Sequence, residues 1–416
     1  MNQSTTQTSM RKIACLFMFT YMVSYITRIN YGAVITEMVT TTHIAKSTLS
    51  LALTGSFITY GAGQIISGIC GDHFAPKKLV MYGLILSSSM NLLIPLCSSP
   101  YQMLVVWSIN GFGQAFMWPP MVRMMTMLLS AEDYKKACVT VSWGSSFGTI
   151  LVYLLSPLLI GLSGWKAVFV CSAVCGIAMI FIWNKLCPVI PAQSHKTAAQ
   201  GISTRSDDTD LKRNTYTEGS RLFSPLMLGI MFAIVLQGVL RDGVTTWMPS
   251  YISETYHLGS KISILTGVLL PIFSIACFQV TSFLYQKYLR NPLACATAIF
   301  GTGAVAAIVL YLFSAQNAGL SVLLSAVLTG SMHGVNLILV CMIPPFFKKY
   351  GHVSTVSGVL NACTYIGSAI SSYGIALLAE TKGWHITIFV WFVVTALGTT
   401  MCLLCTRPWH KEHAAS

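Results

Sequence analysis

Apolar residues run through this chain in long blocks parted by short polar breaks, and each block approaches the roughly 20 residues that an α-helix needs to cross a bilayer. Twelve such blocks can be read, at about residues 12–38, 47–69, 79–98, 101–129, 137–160, 166–186, 222–252, 262–285, 293–314, 320–347, 354–378 and 384–406. The pattern predicts an all-α membrane protein with twelve transmembrane helices. The one long polar stretch, residues 188–221, is rich in Ser, Thr, Lys, Arg and Asp and reads as a flexible linker. It divides the chain into an amino-terminal six-helix bundle, 1–187, and a carboxy-terminal one, 222–416.

Composition agrees: 54% of the 416 residues are hydrophobic and 9% are charged. Lys and Arg outnumber Asp and Glu by 25 to 12, a bias that in a soluble chain would suggest nucleic acid. Here the positions of the charges give another reason. With both termini inside, the basic residues collect in the tails and in the loops on one face. Only Lys46, Lys166, Lys261 and Lys382 fall on the other face, and Arg28, Arg123 and Arg241 fall within spans. The positive-inside rule therefore selects cytoplasmic termini, and the expected location is a plasma membrane. The first apolar block is too long for a cleavable signal and is expected to stay as an anchor. Thirteen cysteines lie mostly within spans, a poor setting for structural disulfides, and the Cys402–Cys405 spacing in the last helix does not make a metal site.

The halves repeat each other. Gly164-Trp165 recurs as Gly383-Trp384 and the glycine opening at Gly111 recurs at Gly330, both 219 positions on, and Pro119-Pro120 has its counterpart in Pro344-Pro345. Duplicated bundles place a site between them at the membrane midplane. The residues best suited to such a site are Arg28 and Arg241, 213 positions apart in otherwise apolar helices. An arginine at bilayer depth costs about 2.5–3.5 kcal/mol on the insertion scale and usually faces a cavity. Its planar fork of donors suits phosphate or carboxylate oxygens, so a pair of them implies a small anionic solute. Arg123, near the cytoplasmic end of its span, is expected to serve structure. The Trp118-Pro119-Pro120 and Pro344-Pro345 segments read as kinks.

Further polar residues are candidates for the same chamber. His333, midway along the tenth span, can bind an anion or titrate near neutrality. Asn361, Thr364 and Tyr365 lie on the eleventh. Of the twelve carboxylates only Glu37 and Asp242 fall within spans, which makes them the candidates for ion coupling. Because Asp242 follows Arg241 directly, it is expected on a different helical face, as an imperfect counter-ion and a proton carrier; the alternative for the arginines is pairing with Asp242 or snorkelling to the interface.

The loop GICGDHFAPKK, from Gly68 to Lys78, resembles the signature loop of the major facilitator superfamily, with Gly68, Asp72, Lys77 and Lys78 at the matching spacing and His73 where an arginine is usual. Within that superfamily the chain looks most like the organophosphate:phosphate antiporters, on the stretch GFGQAFMWPPMVRMM from Gly111 and on the helices of Arg28 and Arg241. The resemblance implies that Gly68, Asp72, Lys77 and Lys78 latch the halves on the cytoplasmic side. It also implies that Tyr21, Tyr25, Tyr60, Gln64, Ser145 and Ser146 line the cavity with the two arginines. Gln64 stands where the family often has a lysine, a serine pair where it has a histidine, and Gly238 where it has a tyrosine. The cavity is thus less basic, and phosphate ester, phosphonate and carboxylate all stay open as cargo.

These readings converge on a secondary transporter that exchanges an organophosphate for inorganic phosphate by alternating access, needs no cofactor and works as a monomer. A proton- or sodium-coupled organic-acid symporter and a transporter-like sugar-phosphate sensor are the alternatives. No nucleotide-binding loop, metalloprotease motif or nucleophile elbow is present in the sequence, so it does not read as an enzyme.

Overall fold

The computed structural model describes residues 3–44, 46–188, 224–257, 260–313, 316–350 and 352–413. Apart from Pro188, the expected linker over 188–221 lies outside them. The described chain is built from helices: α1 (Gln3–Thr42), α2 (Lys46–His73), α3 (Pro76–Leu93), α4 (Pro100–Gln114), α5 (Trp118–Leu128), α6 (Ala131–Ser163), α7 (Trp165–Leu186), α8 (Pro225–Tyr256), α9 (Ser260–Lys287), α10 (Pro292–Phe313), α11 (Ala318–Asn336) and α12 (Val353–His413). Among the described residues ten segments are long and apolar enough to cross a membrane. The other two crossings are α2, which carries more polar residues, and the interrupted pair α4–α5, neither part of which is long enough alone.

Local chemistry sets the ends and breaks. Ser99 caps α4 through its side chain, Gln102 reaches back, and Pro100 occupies the first turn, where its missing N–H is no loss. Ser130 accepts from the backbone N–H of Asp133 at 3.2 Å, and Glu132 and Asp133 in the first turn of α6 complement the helix dipole. Gly164, at φ 74° and ψ 177°, ends α6. Gly383, at φ 80° and ψ 171°, bends α12 into two arms. The repeated Gly-Trp pairs therefore mark the same left-handed break in both halves, a conformation that only glycine adopts at little cost.

The proline pairs break two further helices and free carbonyls that other elements then use. Pro119 has no N–H for the carbonyl of Ala115, four residues back, and the chain breaks between α4 and α5. That carbonyl accepts instead from Gln64 Nε2 at 3.2 Å. In the second half Pro345 stands four residues after Cys341. There α11 passes into a π-helical turn, Leu337–Cys341, and the freed Cys341 carbonyl accepts from the Tyr134 hydroxyl.

Helices α1–α7 pack mainly among themselves, α1 on α6, α2 on α4 and α3 on α7. Helices α8–α12 do the same, with α12 against α8 and α10. A buried polar network ties the first group together: Asn30 Nδ2 reaches Asn91 at 2.7 Å and Ser172 at 3.0 Å, Asn91 Nδ2 reaches the Thr27 carbonyl at 2.9 Å, and Gln114 Nε2 reaches Thr27 and Ser87 at 2.8 and 2.6 Å. Contact between the groups runs through α2 and α5 on the first arm of α12 and through α6 on α9. All thirteen cysteines are free thiols.

Candidate functional site

The seam between the two groups begins with a close approach of backbones. Gly68 and Gly358 face each other across α2 and α12: a Cβ on Gly358 would lie 2.3 Å from the Gln64 carbonyl and 3.0 Å from the Gly68 Cα. This contact brings Gln64 and Asn361 together, and Asn361 Nδ2 donates to Gln64 Oε1 at 2.9 Å. Gln64 is thus held at both ends, by the carbonyl that Pro119 frees and by an amide from the other group. Gln64, which the resemblance sets where a lysine is usual, serves here to join the halves.

One helical turn beyond Asn361, Tyr365 stands between the two arginines. Arg28 Nη1 donates to the Tyr365 hydroxyl at 3.1 Å, and the Arg241 guanidinium carbon lies 5.6 Å from the centre of the Tyr365 ring. Arg28 also faces the rings of Tyr25 at 4.1 Å and Tyr60 at 4.9 Å, so aromatic faces surround its charge. Tyr60 packs against Tyr365 with the rings tilted and their centres 4.4 Å apart, and Tyr21 packs edge-on against Tyr25 at 5.1 Å. Arg28 is half-buried and Arg241 is 8% exposed, which puts both guanidiniums inside the protein.

A narrow cavity lies alongside. Tyr21, Tyr25, Ser145, Arg241, His333 and Asn361, all expected from the sequence, contribute to its wall. Tyr60 joins through Tyr365 and Arg28 rather than the wall, and Ser146 is buried and does not contribute to the wall. The wall also includes Trp118, Ser142, Phe278, Asn336 and Cys341. Trp118 corrects the expectation that its segment only kinks, because its ring also packs on Tyr21 at 5.0 Å. Helical spacing carried the missing signal for Ser142 and Asn336, each three residues from an expected wall residue, Ser145 and His333. Phe278 has its ring 5.7 Å from that of His333 across a helix interface, which no local spacing reveals.

The expectation for Asp242 is overturned. Although Asp242 is the next residue in the helix, the long arginine stem bends so that Nε and Nη2 of Arg241 meet its two oxygens at 2.7 and 2.8 Å. The Ser368 hydroxyl of α12 donates to the same carboxylate. Glu37 is not part of this arrangement. It lies nine residues beyond Arg28 on α1, roughly 13 Å along the axis at 1.5 Å per residue.

The end of the protein that carries Lys77, Lys135 and Lys348 is closed. Asp72, 1% exposed, accepts from the backbone N–H groups of Ser354 and Thr355 at 2.9 and 2.7 Å, capping α12 from the opposite group. Lys348 donates to the Thr126 carbonyl at 2.5 Å, and the Tyr134–Cys341 bond crosses the same seam. Arg123 donates to the carbonyl of Gly71 and so braces the end of α2, the structural duty expected of it. Of the expected latch, Lys77 instead binds the Asn184 and Cys187 carbonyls at the end of α7, at 2.9 and 2.7 Å, and Lys78 is exposed. In the other direction Gly32 and Thr245, one turn beyond Arg28 and Arg241, are exposed.

A family model described as Major Facilitator Superfamily matches residues 17–346. A probable hexose phosphate transport protein of Chlamydia muridarum is 22% identical over 407 residues, covering 93% of this chain and 89% of that protein. The membrane sensor protein UhpC of Salmonella typhimurium is likewise 22% identical, over 92% of this chain and 88% of its own. Among solved structures, the proton:xylose symporter XylE superposes with a TM-score of 0.74 at 13% identity, covering 95% of each chain, a likeness of fold alone.

Proposed function

Because this chain belongs to the Major Facilitator Superfamily, a family of membrane transporters and not of enzymes, we propose that it carries a small organic anion, a phosphate ester, in exchange for inorganic phosphate. One observation carries this reading: a guanidinium from each half of the chain approaches the same tyrosine at the seam. An anion between Arg28 and Arg241 would accept from both and draw the two groups of helices together. The similarity to a protein named for hexose phosphate transport supports a phosphorylated cargo.

In this reading residues 1–187 and 222–416 are the two bodies that rock about the site, with 188–221 as the cytoplasmic connection and both termini cytoplasmic in a plasma membrane. A monomer suffices, since each chain encloses its own chamber. Tyr21, Tyr25, Tyr60, Ser145, His333 and Asn361 shape the pocket around the anion, and Gln64 holds Asn361 in place. Gly68 and Asp72 form the cytoplasmic gate, closed here, with the chamber facing the other side.

The test is uptake of labelled organophosphate by vesicles that contain the purified protein and are loaded with inorganic phosphate. Uptake without an ion gradient is expected. Arg28→Lys and Arg241→Lys, which keep the charge and lose the planar fork, should each reduce it at least about a hundredfold. Uptake that requires a proton or sodium gradient would replace exchange by symport, and binding without flux would make the protein a sensor.

A further inference from the structure

Among the described residues Arg241 already holds a carboxylate, and Arg28 does not. The Asp242 pair is bidentate and uses the Nε and Nη2 edge of the guanidinium, one of the edges by which arginine grips a phosphate or carboxylate. Ser368, reaching across from α12, fixes the carboxylate further. Arg28, by contrast, meets a hydroxyl and two aromatic faces. Among the described residues, two guanidiniums and one carboxylate leave the chamber a single net positive charge.

That arithmetic bears on the return journey of an empty carrier. Strict exchange arises when closing the unloaded chamber confines two unpaired cations in a medium of low dielectric constant. Here one of the two is paired before any cargo arrives. The pair also travels as a unit, because Arg241 and Asp242 are adjacent on α8, so nothing need be fetched from solution to neutralise Arg241 during the swing. The other cation is spread over the Tyr25 and Tyr60 rings, which go with it on α1 and α2.

We infer that Asp242 is a resident anion that stands in for the cargo at Arg241, so that the unloaded carrier can return and the protein supports net movement of its anion as well as exchange. The inference rests on the proposed anion-binding role of the two arginines. It assigns Asp242 to the mode of transport and not to recognition of the carbon skeleton. Cargo meets Arg241 on its remaining donors or displaces the carboxylate, and in both cases the carboxylate recovers the guanidinium when the cargo leaves.

The experiment compares two fluxes of one probe, labelled inorganic phosphate, from vesicles containing the full-length protein. Efflux into phosphate-containing buffer reports exchange, and efflux into phosphate-free buffer reports net movement. The wild type is expected to show both, and Asp242→Asn to raise the ratio of exchange to net efflux about tenfold or more. Phosphate should also raise the melting temperature of Asp242→Asn in detergent more than that of the wild type, because it restores a missing counter-charge. If Asp242→Asn does not fold, Ser368→Ala carries the same test, with a ratio raised about threefold. A wild type that exchanges phosphate with no net efflux, or a ratio unchanged in the variants, overturns this inference and leaves the anion-carrier reading standing. A wild type that neither moves nor is stabilised by phosphate overturns both.

Discussion

Replacing Asp72 by alanine should open the basic end of the protein. The Asp72 carboxylate accepts two backbone N–H groups from α12, at 2.9 and 2.7 Å, while 1% exposed. A hydrogen bond to a charged group is worth about 1.5–3 kcal/mol net, and a carboxylate at a helix amino terminus gains about 0.3–1 kcal/mol more. Both bonds span the two groups of helices, so they exist only while this end is closed. The lower end for both bonds together with the dipole gives roughly 3 kcal/mol, or about a hundredfold shift of the equilibrium toward the open state. Cys138 and Cys341 are natural reporters, because both are buried at this seam, at 0% and 2% exposure. Maleimide labelling of the purified protein, resolved by peptide mass spectrometry, should accelerate at these two thiols in Asp72→Ala and to a smaller degree in Asp72→Asn, which keeps one acceptor oxygen. Cys295 and Cys402, buried inside the second group, serve as controls and should not respond. Unchanged labelling at Cys138 and Cys341, or equal acceleration at the controls, would refute the reasoning.

Tyr365→Phe removes the hydroxyl that Arg28 donates to but keeps the ring over which Arg241 lies; it should loosen Arg28 by about 1.5–3 kcal/mol and raise the KM for transport roughly tenfold or more with a smaller change in maximal rate. Gln64→Leu strands the Ala115 carbonyl and the Asn361 amide, so a fall in stability of about 1–3 kcal/mol is expected from thermal melting, and a neutral result would mean that the seam does not depend on this bond. Gly358→Leu places a Cβ 2.3 Å from the Gln64 carbonyl and must push α2 and α12 apart, at a cost of about 1–3 kcal/mol; faster maleimide labelling at Cys341 together with a lower melting temperature checks it. Asn91→Leu takes from Asn30 and from the Thr27 carbonyl one of two buried partners each, leaving Ser172 and Asn110, and should destabilise the first group of helices by about 1–2 kcal/mol, read as a lower melting temperature.

Much of this protein was legible in its order of residues. Helix number follows from apolar runs, because a bilayer demands internally bonded backbone, and the one-sided placement of Lys and Arg is the ground for the proposed direction. The repeat was legible in Gly164-Trp165 and Gly383-Trp384, and the structure gives both glycines the same left-handed turn. Arg28 and Arg241 stood out because a charge in a long apolar run has few reasons to be there.

What linear order did not reveal was which side chains would meet. Gln64 read as a weakened version of a basic family position; in the fold it fills the valence that Pro119 leaves on Ala115 and joins Asn361, 297 residues away. Helical spacing argued that Asp242 points away from Arg241, yet a flexible arginine bound by packing on Tyr365 turns back to it. Tyr365 acquires its place between the two cations only when α1, α8 and α12 converge. Periodicity and charge placement are local or one-dimensional properties, and they survive in the bare sequence. The pairing of polar groups in a buried seam is settled by which orphaned donors and acceptors the packed helices bring within reach, and that is decided only in three dimensions.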